Sequence, residues 1–182
     1  VAEQLPVWLE DEARIHRYAE PTPMFYDRLA WDADVIRERL NALYALMDED
    51  SGSAPIIISS ARALMQRTLS PHLFRRHSHQ IEVGQRYKID VLVQDWLNHG
   101  YEPVTMVIEP GTFTRRGGLL DIYPINATSP VRLDLFDDDL DTLRHFDPAT
   151  QRTTEKIRSI QAVQHSDILS SLEFQCKKSD EK

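Results

Sequence analysis

The chain has 182 residues, 41% of them hydrophobic and 27% charged, with a net charge of −8 and one cysteine, Cys176. This is the composition of a folded globular protein, neither disordered nor membrane-spanning, and its length admits one ample core or two small ones. The lone thiol excludes an internal disulfide framework or a Cys-based zinc site and suits a reducing cytoplasm, and the acidic balance argues against wholesale phosphate binding.

The first residues, "VAEQLPVWLEDEAR", lack both an initiator Met and the basic-then-apolar order of a signal peptide, so the chain is expected to be cut from a longer one. Pro6, Pro21 and Pro23 break any period over residues 1–30, which read as loops and short extended pieces. From Trp31 the pattern changes. Ile36, Leu40, Leu43 and Met47 fall at helical spacing, Asp32 can cap the start, and "DEDSGSAP" stops the helix. Next, "PIIISS" reads as a strand buried on both faces of a parallel sheet, with Ser60 capping a helix over "ARALMQR". Helix, buried strand and helix together predict an α/β unit, with a boundary near Arg76 to Ser78.

Beyond it, "HQIEV" predicts a strand, and Val93, Trp96 and Leu97 a helix that Gly100 ends. Closely spaced strands are then expected at "VTMVIE", "GTFTR", "LLDIYP", "VRLDLF", "DTLRHF" and "KIRSIQAV", an antiparallel sheet carrying a helix. The end, "LSSLEFQCKKSDEK", reads as a linker or tail.

Enzyme chemistry finds no purchase in these residues. Neither G-x-x-x-x-G-K-[ST] nor G-x-G-x-x-G occurs, so no nucleotide cradle is present. Asp137, Asp139 and Asp141 imitate a calcium loop, but Thr142 and Pro148 stand where Gly and a bidentate Glu are needed, which favours an acidic turn. His72, His77 and His79 cluster without evident partners, and no serine sits in a nucleophile elbow. No catalytic, cofactor-binding or metal-binding residue is nominated.

Two strands carry more information. In "VRLDLF", alternation puts Val131, Leu133 and Leu135 on one side and Arg132, Asp134 and Phe136 on the other. With the first set in the core, Phe136 is either an exposed aromatic of the kind found at interface hot spots or packs under the "DDDLD" turn or a helix, while Arg132 pairs with Asp134. In "GTFTRRGGLL", Phe113 and Arg115 share one side and Thr112, Thr114 and Arg116 the other, until Gly117 and Gly118 interrupt. Glycines in a strand mark a bulge or the close approach of another backbone, and such a kink can aim Arg116 outward; a solvated loop arginine is the plainer alternative.

Taken in order, "GTFTRRGGLLDIYP" and "PVRLDLFDDDLDTLRHFDPATQRT" resemble the amino-terminal region of the bacterial transcription-repair coupling factor family, with fainter likeness through "GQRY" at 84–87 and the helix near residue 31. UvrB carries a related domain; the "QRT" at Gln151–Thr153 and the short gap from Tyr123 to Pro130 favour the coupling factors, and a UvrB fragment contacting UvrA and DNA is the alternative.

The resemblance implies a partial, degenerate helicase-like α/β domain over 1–77, a UvrA-binding α+β domain over 78–164, and a linker or tail over 165–182. It implies recruitment of UvrA without catalysis, through the positions that match Arg116, Arg132 and Phe136. Arg115 falls outside the matched pattern and reads as a solvated neighbour. RNA polymerase and DNA are implied as partners of other parts of the parent translocase, and a carboxy-terminal domain is implied to mask the UvrA surface. Residues 166–182 depart from the family pattern.

Overall fold

The computed structural model describes residues 15–20, 32–47, 54–66, 68, 70–76 and 78–163. They divide into two compact units, one ending at Thr68 and the other running from Ser70 to Val163. The sequence readings of 1–14, 21–31 and the 165–182 tail lie outside the described residues.

The first unit holds β1 (Ile15–Tyr18), α1 (Ala33–Met47), β2 (Ile56–Ser59) and α2 (Ala61–Leu64), with β1 and β2 paired in parallel from Ile15↔Ile56 to Tyr18↔Ser59. Asp32 starts α1 as predicted, its Oδ1 accepting from the Asp34 amide at 2.8 Å. Helical spacing buries Ile36, Leu40 and Ala42, and it also carries Arg39 inward. That guanidinium donates to the Ala19 carbonyl at 2.8 Å and lies 3.9 Å from the Tyr18 ring centroid; burial lowers its pKa. Ser60 caps α2 by accepting from the Ala63 amide at 3.1 Å, but the helix expected over 61–67 is a single turn. β2 also differs from expectation. Its four residues are half-buried, because β1 is its one strand neighbour among the described residues.

The second unit starts with α3 (Pro71–Arg76) and β3 (Ser78–Glu82), followed by α4 (Ile89–Asn98). A six-stranded sheet then forms in the order β4 (Glu102–Pro103), β5 (Thr112–Arg116), β6 (Leu119–Tyr123), β7 (Val131–Phe136), β8 (Asp139–Phe146) and β9 (Thr153–Ile157). It is antiparallel from β5 to β9, while β4 joins β5 in parallel. Last comes β10 (Ser159–Val163), which returns to pair antiparallel with β3, from Ser159↔Glu82 to Val163↔Ser78.

One face of the sheet is apolar and contributes to a core with α4 and the β3–β10 pair. Phe113, Leu120, Ile122, Val131, Leu133, Leu135, Leu140 and Leu143 pack there with Ile81, Trp96 and Tyr101. Trp96 of α4 meets Phe113 edge-on at 5.5 Å between ring centroids. Gly100 ends α4 as predicted: at φ +82° its amide donates to Leu97, and the Tyr101 amide reaches back to Trp96 at 2.9 Å, the two bonds of a Schellman motif.

The strand predicted at "VTMVIE" does not form. Pairing ends at Pro103, and residues 104–110 run as a loop that buries Val107 while leaving Met106 and Ile108 exposed. Val107 alone plugs inward, between exposed neighbours, so the segment presents no strand face.

Candidate functional site

Gly117 and Gly118 form the two-residue loop of the β5–β6 hairpin, flanked by the Arg116↔Leu119 pair, rather than a bulge within one strand. Gly117 sits at φ +64°, the left-handed region that glycine tolerates. Gly118 meets the close backbone approach that its type predicts. A Cβ there would lie 2.6 Å from the Leu135 carbonyl oxygen, and the Gly118 carbonyl accepts from the Leu135 amide at 3.0 Å. Gly118→Ala is therefore expected to lower stability by about 1–3 kcal/mol through forced backbone movement, read as a lower urea midpoint with an unchanged slope.

Register slips lie elsewhere: between β7 and β8, from Asp134↔Thr142 to Leu135↔Leu140, which leaves Asp141 as the extra residue, and between β8 and β9, from Arg144↔Lys156 to Phe146↔Thr153.

The face turned away from α4 gathers the three nominated side chains. Arg132, Asp134 and Phe136 alternate along β7 opposite the buried Val131, Leu133 and Leu135. Arg116 stands two strands away, level with Asp134 through Leu119. Strand spacing and rise put these residues within a patch on the order of 10 by 13 Å.

Their environments differ. Phe136 is 79% exposed, so it does not pack under the following turn. That turn is held away from it: Asp137 takes φ +55°, and the Asp138 carbonyl accepts from the Tyr87 amide at 2.7 Å. Arg116 is exposed and donates from Nη2 to the Thr105 carbonyl at 2.9 Å, which braces it against the 104–110 loop. The same loop is pinned by Gln151, whose Nε2 donates to the Val107 and Pro148 carbonyls at 3.2 and 2.7 Å. Below it, the Asp147 carboxylate caps the turn, and the hydrogen bond from the Ala149 amide is the largest influence holding its pKa below the usual value.

Arg132 corrects the sequence reading. Its partner is Asp121, not Asp134. Nε and Nη2 donate to the two carboxylate oxygens at 2.7 and 2.8 Å, the hydrogen bonding raises the arginine's pKa, and the guanidinium lies 5.0 Å from the centroid of the buried Phe146 ring. The Asp121 side chain is only 3% exposed against 21% for Arg132. A cross-strand pair such as Asp121↔Arg132 is set by register between β6 and β7, which no local spacing reveals.

Arg115 points to the other face, as alternation predicts, and stays exposed, pairing at the surface with Asp90 in the first turn of α4 at 2.6 Å. Another residue escaped the sequence reading: Arg144, the cross-strand partner of Arg132 on β8, lies on the same face as the nominated three. Counting alternation through "DTLRHF" would have placed it there.

The arrangement is a partly apolar surface that carries Arg116, Arg132 and Arg144. Among the described residues no group of three or more His, Cys, Asp or Glu is placed to hold a metal ion. The acidic turn instead neutralises Arg86, which lies 3.2 Å from Asp139.

A family model described as the UvrB interaction domain matches residues 80–167. This segment of the chain belongs to that family. The chain is also similar to curated proteins each called a transcription-repair-coupling factor. The protein from Escherichia coli (strain K12) is 39% identical over 136 residues, covering 74% of this chain and 12% of that protein. The Haemophilus influenzae protein is 38% identical over 135 residues, with the same shares. That of Bacillus subtilis (strain 168) is 34% identical over 123 residues, 68% of this chain and 10% of that protein. The matched part of the chain thus spans about an eighth of the length of these relatives. The UvrB interaction domain contains the whole candidate face, from Arg116 to Arg144. No helix among the described residues is long and apolar enough to cross a membrane.

Proposed function

We propose that this chain is the UvrA-docking part of a transcription-repair coupling factor, a recruitment module with no catalysis of its own. In this reading residues 78–164 are the docking domain, 1–77 part of a degenerate helicase-like domain, and 165–182 a linker or tail. The observation that carries it is Phe136: a large aromatic left 79% exposed on the same sheet face as Arg116 and Arg132, inside the segment of the UvrB interaction domain family. An exposed phenylalanine gains nothing for a monomer, and aromatic residues beside arginine are the common anchors of protein interfaces.

The parent chain would bring RNA polymerase and DNA to the complex through other parts, in the cytoplasm, and a carboxy-terminal domain would cover the face until docking. Arg116, Arg132 and Phe136 are the contact residues of this reading. Arg116→Ala is expected to weaken UvrA capture by about 1–2 kcal/mol, since the side chain is exposed and is held among the described residues by one hydrogen bond, to the Thr105 carbonyl. Titration calorimetry against UvrA measures it. Unchanged affinity in Arg116→Ala and Phe136→Ala alike would sink the assignment.

A further inference from the structure

Across the outer face, register aligns Asp121, Arg132, Arg144 and Lys156 as successive cross-strand partners on β6, β7, β8 and β9. Three cations in a row oppose sheet stability, because like charges directly opposite repel. The single carboxylate of the row is already taken, bidentate, by Arg132. Among the described residues no carboxylate pairs with Arg144 or Lys156, and the Arg144 Nε is buried without a hydrogen-bond acceptor. A buried N–H with no acceptor is unfavourable, so the isolated fold gives no reason for an arginine here. An incoming acceptor does.

We propose that Arg144 and Lys156 extend the docking face to β8 and β9 and receive carboxylates of an acidic partner, the Arg144 side chain turning outward as its Nε gains an acceptor. The inference rests on the docking role above. Carboxylates suit the row: the neighbouring Arg132–Asp121 pair already shows the side-on, bidentate carboxylate geometry. Neighbouring strands lie about 5 Å apart, a spacing that matches two acidic residues one turn apart on a partner helix.

The test is calorimetry of the 182-residue chain against UvrA, with melting temperatures and a duplex-DNA titration for each variant. Arg144→Gln is expected to weaken binding about tenfold and Lys156→Gln about threefold, the size of hydrogen-bonded and rim charge contacts respectively, with both losses shrinking at high salt. The melting temperature of Arg144→Gln should equal or exceed that of the parent, since no ion-pair or hydrogen-bond partner among the described residues is lost; a purely structural arginine would lower it. Wild-type affinity in both variants, with Phe136→Ala still defective, overturns the extension and leaves the docking role standing. Wild-type affinity in all three, Phe136→Ala included, removes the docking role itself. If the two charge changes reduce binding to duplex DNA and not to UvrA, the acidic-protein assignment is overturned.

Discussion

Phe136→Ala is expected to weaken capture of UvrA by about 2–4 kcal/mol, roughly 30- to 1,000-fold, while leaving the melting temperature unchanged. The two readouts separate the competing accounts of this residue. A phenylalanine packed in a core loses about 3–5 kcal/mol of stability when truncated, whereas one that is 79% exposed has little packing to lose. A melting temperature lowered by several degrees, with affinity intact, would return Phe136 to a structural role. The location of the side chain explains the size of the expected binding loss. It stands beyond the tip of the β5–β6 hairpin, on a strand whose preceding residue is locked to Gly118, so it is presented by rigid backbone and little ordering is needed on docking.

The second large effect concerns Arg132. Its replacement by alanine does not leave the fold intact, contrary to what an exposed contact residue would do. The change strands Asp121, a carboxylate 3% exposed, and is expected to cost about 3–5 kcal/mol of stability besides the loss of docking. Replacing both partners by apolar residues of similar volume, as in Arg132→Met with Asp121→Leu, should recover most of that stability, because the desolvation of two charges disappears with them. It should not recover UvrA binding, since the guanidinium is gone. Urea denaturation and calorimetry on the single and double variants check this together. A double variant no more stable than the single one would mean that the pair holds the sheet by more than its charges.

How far the sequence could be read follows from which interactions are local. The inward set Val131, Leu133 and Leu135 and the outward Phe136 were legible because strand alternation is a property of consecutive residues. So were the caps at Asp32 and Ser60 and the stop at Gly100, each set within a few positions. The Asp121–Arg132 pair was not, since it depends on register between two strands joined by a loop. "VTMVIE" misled for a related reason. Its Val, Met and Ile content is that of a strand, but Gln151, 44 residues away, holds Val107 in place and Arg116 holds Thr105, so distant side chains take the backbone carbonyls a strand partner would have used.

The pairing of β3 with β10 has a mechanical consequence. Ser78 and Val163 are register partners at one end of an antiparallel ladder, so tension entering the domain through these two points opens that ladder one rung at a time, starting at the pulled end. Peeling of this kind demands far less force than sliding whole strands past each other. Opening at that end leaves the pairings that fix Arg116, Arg132 and Phe136 untouched, because they belong to the separate six-stranded sheet.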